Sequence, residues 1–499
     1  MNAGVHPRPL CECAMFPSTN GATMSKAAKP DHFESHFGLD DAVLQRVIAS
    51  AMQRGGDFCD LYFQQRTSNV IGLEDNEVNR AFRSVGVGVG IRVVQGDATG
   101  YAFSEELEES TMHEAATAAA GIAAGGGGKA PHDIRASETR DLYPVATGWG
   151  EVTVEQKLPL LTRINERAFA ADSRIQKVRV RLSDGEAHVL VVDSDGRKAY
   201  DYRPMVVLFA QCVAQDGDRR EENYHNVGGR LGFDYFDEAV VDRVADEAVR
   251  RTLLLFEAVR PAAGEMPVVL AAGSSGILLH EAIGHGMEAD FNRKGISIYA
   301  DSIGKPIAEP FVSIVDDGTV PASRGAINVD DEGNPVQRTV LVERGVLRTF
   351  MHDRISAAHY GVEPTGNGRR ESFRHAPLPR MRSTYMEAGP HAPDEIIRSV
   401  DRGIYAVSFT NGQVQIGAGD FTFYIKTGYL IEQGKLAAPI KDVNLIGNGP
   451  QVLRDVTMVG SDMELDQGGW TCGKDGQSVP VSLGMPTVKV KAITVGGIG

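Results

Sequence analysis

The segment His280-Glu281-Ala282-Ile283-Gly284-His285 constrains this chain more than any other. Two imidazoles bracketing a carboxylate are the parts of a zinc hydrolase: two neutral nitrogen ligands and an acid able to take a proton from an activated water. The spacing is one residue longer than H-E-x-x-H. On a regular α-helix, positions i and i+4 share a face, whereas i and i+5 stand about 140° apart. Both histidines can reach one metal if the helix carries a π-bulge there, or if Gly284 lets the last turn unwind. Taken alone, the motif is equally compatible with two partly exposed histidines on a surface helix.

Composition narrows the class. At 499 residues, 42% hydrophobic and 23% charged, the chain can bury large cores and divide into two or three domains. A formal net charge of −15 argues against nonspecific nucleic-acid binding. No apolar run has the length that spans a bilayer, and no basic-then-apolar leader opens the sequence. Cys11, Cys13, Cys59, Cys212 and Cys472 are too few and too scattered for a disulfide scaffold. The expectation is a cytoplasmic protein that works without nucleic acid or membrane.

Residues 1–30 lack periodicity and read as a disordered extension, with Met24 as an alternative start. The Cys11/Cys13 pair near His6 reads as incidental to that tail. Residues 31–260 read as an α+β domain. A helix capped by Asp40 or Asp41 carries Val43, Val47, Ile48 and Ala51 at helical spacing. Strand-like runs follow at 60–64, 69–73 and 85–94, the last turning at Gln95-Gly96-Asp97 into 99–103. Helices are expected at about 105–124, running into the Gly125–Gly128 loop, and at about 154–171. Hairpins at roughly 176–213, turning at Asp195-Gly196, lead to a helix from Phe236 to about Ala258.

In residues 261–499, an apolar strand from Met266 to Ala271 feeds Gly273-Ser274-Ser275-Gly276 into the motif helix. Beyond 305, short strands alternate with turns at Arg344-Gly345, Asn411-Gly412, Gly434-Lys435 and Gly447-Asn448-Gly449. Grouped helices and hairpins without βαβ alternation predict an α+β fold. Its N-terminal domain is α+β. Its C-terminal domain is β-rich, a barrel-like, curved antiparallel sheet with one catalytic helix.

A catalytic zinc site uses three protein ligands and leaves a position for water. His352, His359, His375, His391, Cys472 and many carboxylates compete for the third place. A thiolate binds zinc strongly, yet a lone cysteine is more often a small buried core residue. Glu281, adjoining the first ligand, is placed to act as general base. Glu288 and Asp290 read as solvated charges at the helix end rather than partners of the histidines. Arg369, Arg370, Arg374, Arg380 and Arg382 read as a solvated loop paired with nearby acids, with capture of a peptide's terminal carboxylate as the alternative. Other motifs fail: Ile91 breaks the dinucleotide fingerprint that Gly86-Val87-Gly88-Val89-Gly90 begins, and Gly128-Lys129 lacks P-loop spacing. No nucleophile elbow surrounds Ser274 or Ser275.

Four segments carry a further signal: GVGVGIRVVQGDATGYAFS (Gly86–Ser104), GILLHEAIGHGMEADFNRKG (Gly276–Gly295), PTGNGRRES (Pro364–Ser372) and GGWTCGKDGQSVPVSLGMP (Gly468–Pro486). Together and in this order they resemble the TldD/PmbA metallopeptidase family. H-E-x-x-x-H with Thr471-Cys472-Gly473-Lys474 resembles the family's catalytic members rather than its inactive paralogues. The resemblance implies that Cys472 joins His280 and His285 on Zn2+ and that Glu281 activates the attacking water. It also implies an intracellular peptidase for peptides or unfolded and labile proteins, paired with an inactive PmbA/TldE-like homologue as a heterodimer, or homo-oligomeric. Two rivals stand beside it. One is a non-catalytic regulatory or interaction subunit, which the intact His280, Glu281, His285 and Cys472 speak against. The other is a zinc amidase or deacylase with non-peptide substrates.

Overall fold

The computed structural model describes residues 28–122, 131–415 and 417–497. The readings of Cys11, Cys13, Met24 and the Gly125–Gly128 loop lie outside them. The fold is α+β, with strand (42%) outweighing helix (23%), so sheets set its architecture.

In the N-terminal half the strands are long. They are β1 (Phe58–Glu74), β2 (Glu77–Gln95), β3 (Ala98–Ser104), β4 (Ile175–Asp193), β5 (Arg197–Asp216) and β6 (Arg219–Gly229). They pair antiparallel in the order β3-β2-β1-β4-β5-β6. One strand, β1, replaces the two runs expected at 60–64 and 69–73. The polar interruption between them, Gln65 to Ser68, is absorbed because it pairs on both sides, with Ser84–Val87 and with Gly185–His188. Helices α1 (Asp41–Met52) and α2 (Glu109–Ala119) pack Leu44, Val47, Ile48, Met112 and Ala116 with Leu61, Phe63, Val89 and Ile91. Helix α2 starts later than expected because Ser104 Oγ bonds the Glu106 backbone and holds a turn ahead of it. Helix α3 (Val154–Ala171) matches its expected span, fixed by a Thr153–Gln156 capping box. With α4 (Glu238–Leu254) it covers Val180, Leu182, Leu208 and Ala210.

The C-terminal half closes a barrel. Strands β7 (Gly264–Leu270), β8 (Arg402–Val414), β9 (Asp420–Glu432), β10 (Val443–Asn448) and β13 (Val488–Gly497) form a five-stranded ring, because β8 pairs with both β7 and β9. Between β10 and β13 lies the hairpin of β11 (Thr471–Lys474) and β12 (Gln477–Pro480). Two expected turns are something else. Asn411-Gly412 lies inside β8 at a register shift, where a Cβ on Gly412 would sit 2.2 Å from the Phe423 ring. Asn448 caps a helix, Gly449–Arg454, by accepting from the Gln451 amide. Short helices at Ala289–Arg293, Arg354–Tyr360 and Pro393–Arg398 add to the single one expected.

The halves meet over a buried charged seam. Arg370 reaches Asp60 at 3.0 Å, Arg92 bridges Asp60 and Glu332, and Arg203 pairs with Asp331. Phe373 lies on β2 where side chains are missing: a Cβ on Gly88 would stand 2.3 Å from its ring. The glycine run at 86–90 is therefore a seat for the loop that follows Arg370.

Candidate metal centre

The motif segment changes helical type as its spacing requires. It is α-helical over Gly276–Leu279, a π turn over His280–Gly284 and a 3-10 turn over His285–Met287. The His285 amide donates to the His280 carbonyl, the i+5 bond that brings both rings to one side. Leu278, Leu279, Ala282, Ile283 and Met287 face the other way, into a core shared with Phe423, Ile425 and Leu445 of the barrel. That apolar packing anchors the distorted turn.

Opposite it, β11 presents Cys472. One ligand atom each from His280, His285 and Cys472 lies within 4.8 Å of the others, and all three residues are buried. His285 Nε2 is 3.5 Å from Cys472 Sγ, and the two imidazole rings meet edge to face at 5.1 Å. Among the described residues this is the only such group of His, Cys, Asp or Glu, and His352, His359, His375 and His391 stand outside it. Glu281 approaches His285 Nε2 to 3.8 Å while its side chain remains 24% exposed, so it borders both the cluster and solvent.

The electrostatics suit a cation. Burial pushes the Cys472 thiol up, but His280 and His285 outweigh it and hold the group well below the ordinary thiol range. Burial pushes His285 down, and Glu288 together with Cys472 carries it well above the ordinary imidazole range. His280 Nδ1 is buried with no hydrogen-bond partner. Two imidazoles and a thiolate held this close fit a divalent metal with a taste for nitrogen and sulfur.

Glu288 and Asp290 are not solvated. Both are buried, because the helix breaks after Met287 and Glu288 adopts an extended backbone that turns its side chain inward. Glu288 Oε2 accepts from His285 Nδ1 at 3.0 Å and lies 3.1 Å from Lys474 Nζ. Burial would raise its pKa, but Lys474 and His285 draw it down to about 2.

The arginine island is likewise buried rather than a solvated loop, Arg374 excepted. Arg380 Nη2 donates to the Cys472 carbonyl at 2.6 Å, and Arg369 Nη2 to the Pro480 carbonyl at 2.8 Å, so both hold the β11–β12 hairpin. Arg382 pairs with Asp316 at 2.8 Å and donates to the Thr365 and Gly366 carbonyls. Arg370 donates to the Asp331 carbonyl at 2.7 Å. With their donors so engaged, these four are not placed to capture a substrate carboxylate. Only the exposed Arg374 is spent on a surface pair, with Glu105. Arg380 and Arg382 lie between strands, and nothing in their spacing announced their burial.

Comparison with known proteins shows the family. The profiles of the PmbA/TldA metallopeptidase domain 1, central domain and C-terminal domain match residues 59–123, 148–256 and 263–497. A metalloprotease TldD homolog of Haemophilus influenzae is 41% identical over 92% of this chain and 97% of its own. Among solved structures, a Thermotoga maritima protein described as a candidate modulator of a DNA gyrase is similar at TM-score 0.75 and 21% identity, covering 91% of this chain and 99% of that one. TldE of Thermococcus kodakarensis is similar at TM-score 0.70 and 18% identity, covering 91% of this chain and 100% of its own. At such identities these two structures establish the fold alone. The protein is thus a metallopeptidase, a hydrolase of peptide bonds. The chain belongs to the PmbA/TldD metallopeptidase family.

Proposed function

We propose that this chain is a zinc-dependent peptidase acting on peptides and unfolded or labile proteins. The observation that carries the reading is the convergence of His280, His285 and Cys472 within 4.8 Å beside the partly exposed Glu281 carboxylate. His280, His285 and Cys472 would hold the ion. Zinc bound there supplies Lewis acidity, polarising the scissile carbonyl and lowering the pKa of a water. Glu281 takes the proton of the attacking water and passes it to the leaving amine. Glu281 suits that task because it adjoins a ligand yet keeps contact with solvent.

The same geometry supports an extended substrate. Strand β11 pairs only with β12 among the described residues, so the backbone edge at Thr471 and Gly473 is open beside Cys472. A peptide adding there as a strand would be held by main-chain hydrogen bonds with weak side-chain preference. We place the enzyme in the cytoplasm, working as a heterodimer with an inactive homologue of its own fold. That part rests on the family resemblance, and no helix among the described residues is long and apolar enough to cross a membrane.

Metal analysis of the purified protein tests the reading, with one zinc per chain expected. Glu281→Gln should retain that zinc and lose peptide hydrolysis. Near-normal turnover by the variant would remove Glu281 as the base.

A further inference from the structure

We infer that Glu288 and Lys474 are positioning residues for the metal site, a buried couple that sets which nitrogen His285 presents and the register in which Cys472 meets it. The inference rests on the metal-site reading above. It concerns how two distant pieces of chain become one site.

His285 and Cys472 are 187 residues apart, and no strand ladder joins the motif segment to β11. Cys472 and Lys474 occupy alternate positions of β11, so both side chains leave one face of the strand. Both are buried, while Thr471 and Gly473 between and beside them are exposed. Whatever fixes Lys474 against the motif segment therefore fixes Cys472 two residues away.

Lys474 is fixed completely. Its ammonium lies 3.1 Å from Glu288 Oε2, 2.7 Å from Asp290 Oδ1 and 3.1 Å from the Pro379 carbonyl, which accounts for all three of its donors. The Phe291 ring lies 4.1 Å away and closes the cage. No donor is left for a substrate, which removes the ordinary reading of a lysine near an active site. Buried ion pairs add little to stability compared with apolar residues of the same volume. A couple placed directly behind a ligand is better explained by the geometry it imposes.

Glu288 supplies the other half. The same Oε2 that meets Lys474 accepts from His285 Nδ1 at 3.0 Å. A carboxylate at Nδ1 holds the ring so that Nε2, 3.5 Å from Cys472 Sγ, is the nitrogen turned towards the cluster and the one a metal there would take. One carboxylate oxygen thus orients the histidine and docks the cysteine strand together.

The test uses the full chain and two readouts besides turnover: zinc affinity by competition with a chelator, and the absorption spectrum after cobalt substitution. Glu288→Gln and Lys474→Met should each weaken zinc by about 10–100-fold. The thiolate-to-cobalt charge-transfer band should persist in Glu288→Gln, which leaves Lys474 on Asp290 and the Pro379 carbonyl, and weaken in Lys474→Met, which leaves the hairpin to Arg369 and Arg380. Glu281→Gln should leave affinity at the wild-type level, separating positioning from catalysis. If Lys474→Met does not fold, Glu288→Gln decides: it is isosteric and leaves Lys474 paired with Asp290. Unchanged zinc affinity in Glu288→Gln, in a protein whose His285→Ala variant has lost its zinc, overturns the inference and leaves the site standing. Retention of zinc by His285→Ala overturns the site itself.

Discussion

In β4, buried Val178, Val180 and Leu182 alternate with exposed Arg179 and Arg181, and the ion pairs of the covering helices, such as Arg163–Asp242 and Arg167–Asp246, stay at the surface. Around the metal centre that division is abandoned. Arg369, Arg370, Arg380, Arg382, Lys474 and Glu288 are all buried within a few residues of one another or of His285 and Cys472, and Asp316 is buried against Arg382. The difference follows from backbone regularity. Long paired strands satisfy their own amides, so their interior can be apolar. The segments at 364–382 and 468–486 make only short ladders, and their carbonyls need donors from elsewhere. Guanidinium groups provide up to five donors each in a fixed fork. The N-terminal half is not free of buried charge, as Lys157–Asp184 and Arg92–Asp60 show, but there the charges sit singly or at the seam.

The sharpest break of this comparison is at the site. Glu281→Gln should lower turnover by about 10²–10⁴-fold with the fold intact. His285→Ala or Cys472→Ala should abolish stoichiometric metal while leaving the N-terminal sheet folded, read by metal analysis and circular dichroism on one sample.

Next in size are the buried arginines. Arg382→Met strands Asp316 in the interior and should cost about 3–5 kcal/mol. Leu182→Ala in the sheet should cost about 2–5 kcal/mol, through lost packing and a cavity. The totals overlap, but their origins separate in a second variant. Adding Asp316→Asn to Arg382→Met should recover part of the loss, whereas no single neighbouring change should rescue Leu182→Ala. Urea denaturation of the four proteins checks this, and equal behaviour in both regions would remove the distinction.

Acidity should act with opposite sign on two buried groups, one from each half. Burial, then Glu332, pushes the Asp330 carboxyl up to about 7. Between its ordinary pKa near 4 and 7, the unfolded chain is ionised there and the folded one is not, so raising pH withdraws stability. Burial, with His32, Lys29 and His36 beside it, lowers His188 in the N-terminal half to about 3. Between 6.5 and 3 the unfolded histidine is protonated and the folded one is not, so lowering pH withdraws stability. Asp330→Asn should therefore gain stability relative to wild type as pH rises from 4 to 7. His188→Gln should gain relative to wild type as pH falls below 6.5. Denaturation midpoints across that range give both signs.

What could be read from the residues follows the same division. Helix α3 was legible to its ends because its cap and its period are local. The π turn was legible because i, i+5 leaves few ways to bring two imidazoles together. Cys472 was not legible from residues alone, since its partners lie 187 positions away and only the family resemblance selected it over the histidines. Arg369 and Arg380 were missed because their acceptors are carbonyls, such as those of Pro480 and Cys472, which carry no residue-type signature, and Arg370 and Arg382 because the acids that bury them, Asp60 and Asp316, are remote in sequence. Glu288 was missed because the helix stops after Met287 with no proline to announce it; Gly286, tight against Tyr299, was the only local sign.

The smallest predicted effect is at Arg374, and it tests the comparison within a single loop. Arg369 and Arg374 are five positions apart, yet one is enclosed with its fork on the Met381 and Pro480 carbonyls and the other is exposed against Glu105. Exposed pairs are worth about 0–1 kcal/mol, because water screens them and two long side chains must be ordered. Arg374→Ala should therefore change the unfolding free energy by less than about 1 kcal/mol and leave zinc content unchanged. Arg369→Ala should cost several times more, since two buried carbonyls lose their donors and the Cys472 hairpin loses a clamp. Zinc affinity should fall with it, because the hairpin carries the thiolate. Equal and small losses at both positions would mean that the loop's buried donors are replaceable by water, and that the site's geometry is held chiefly by its apolar packing against the barrel.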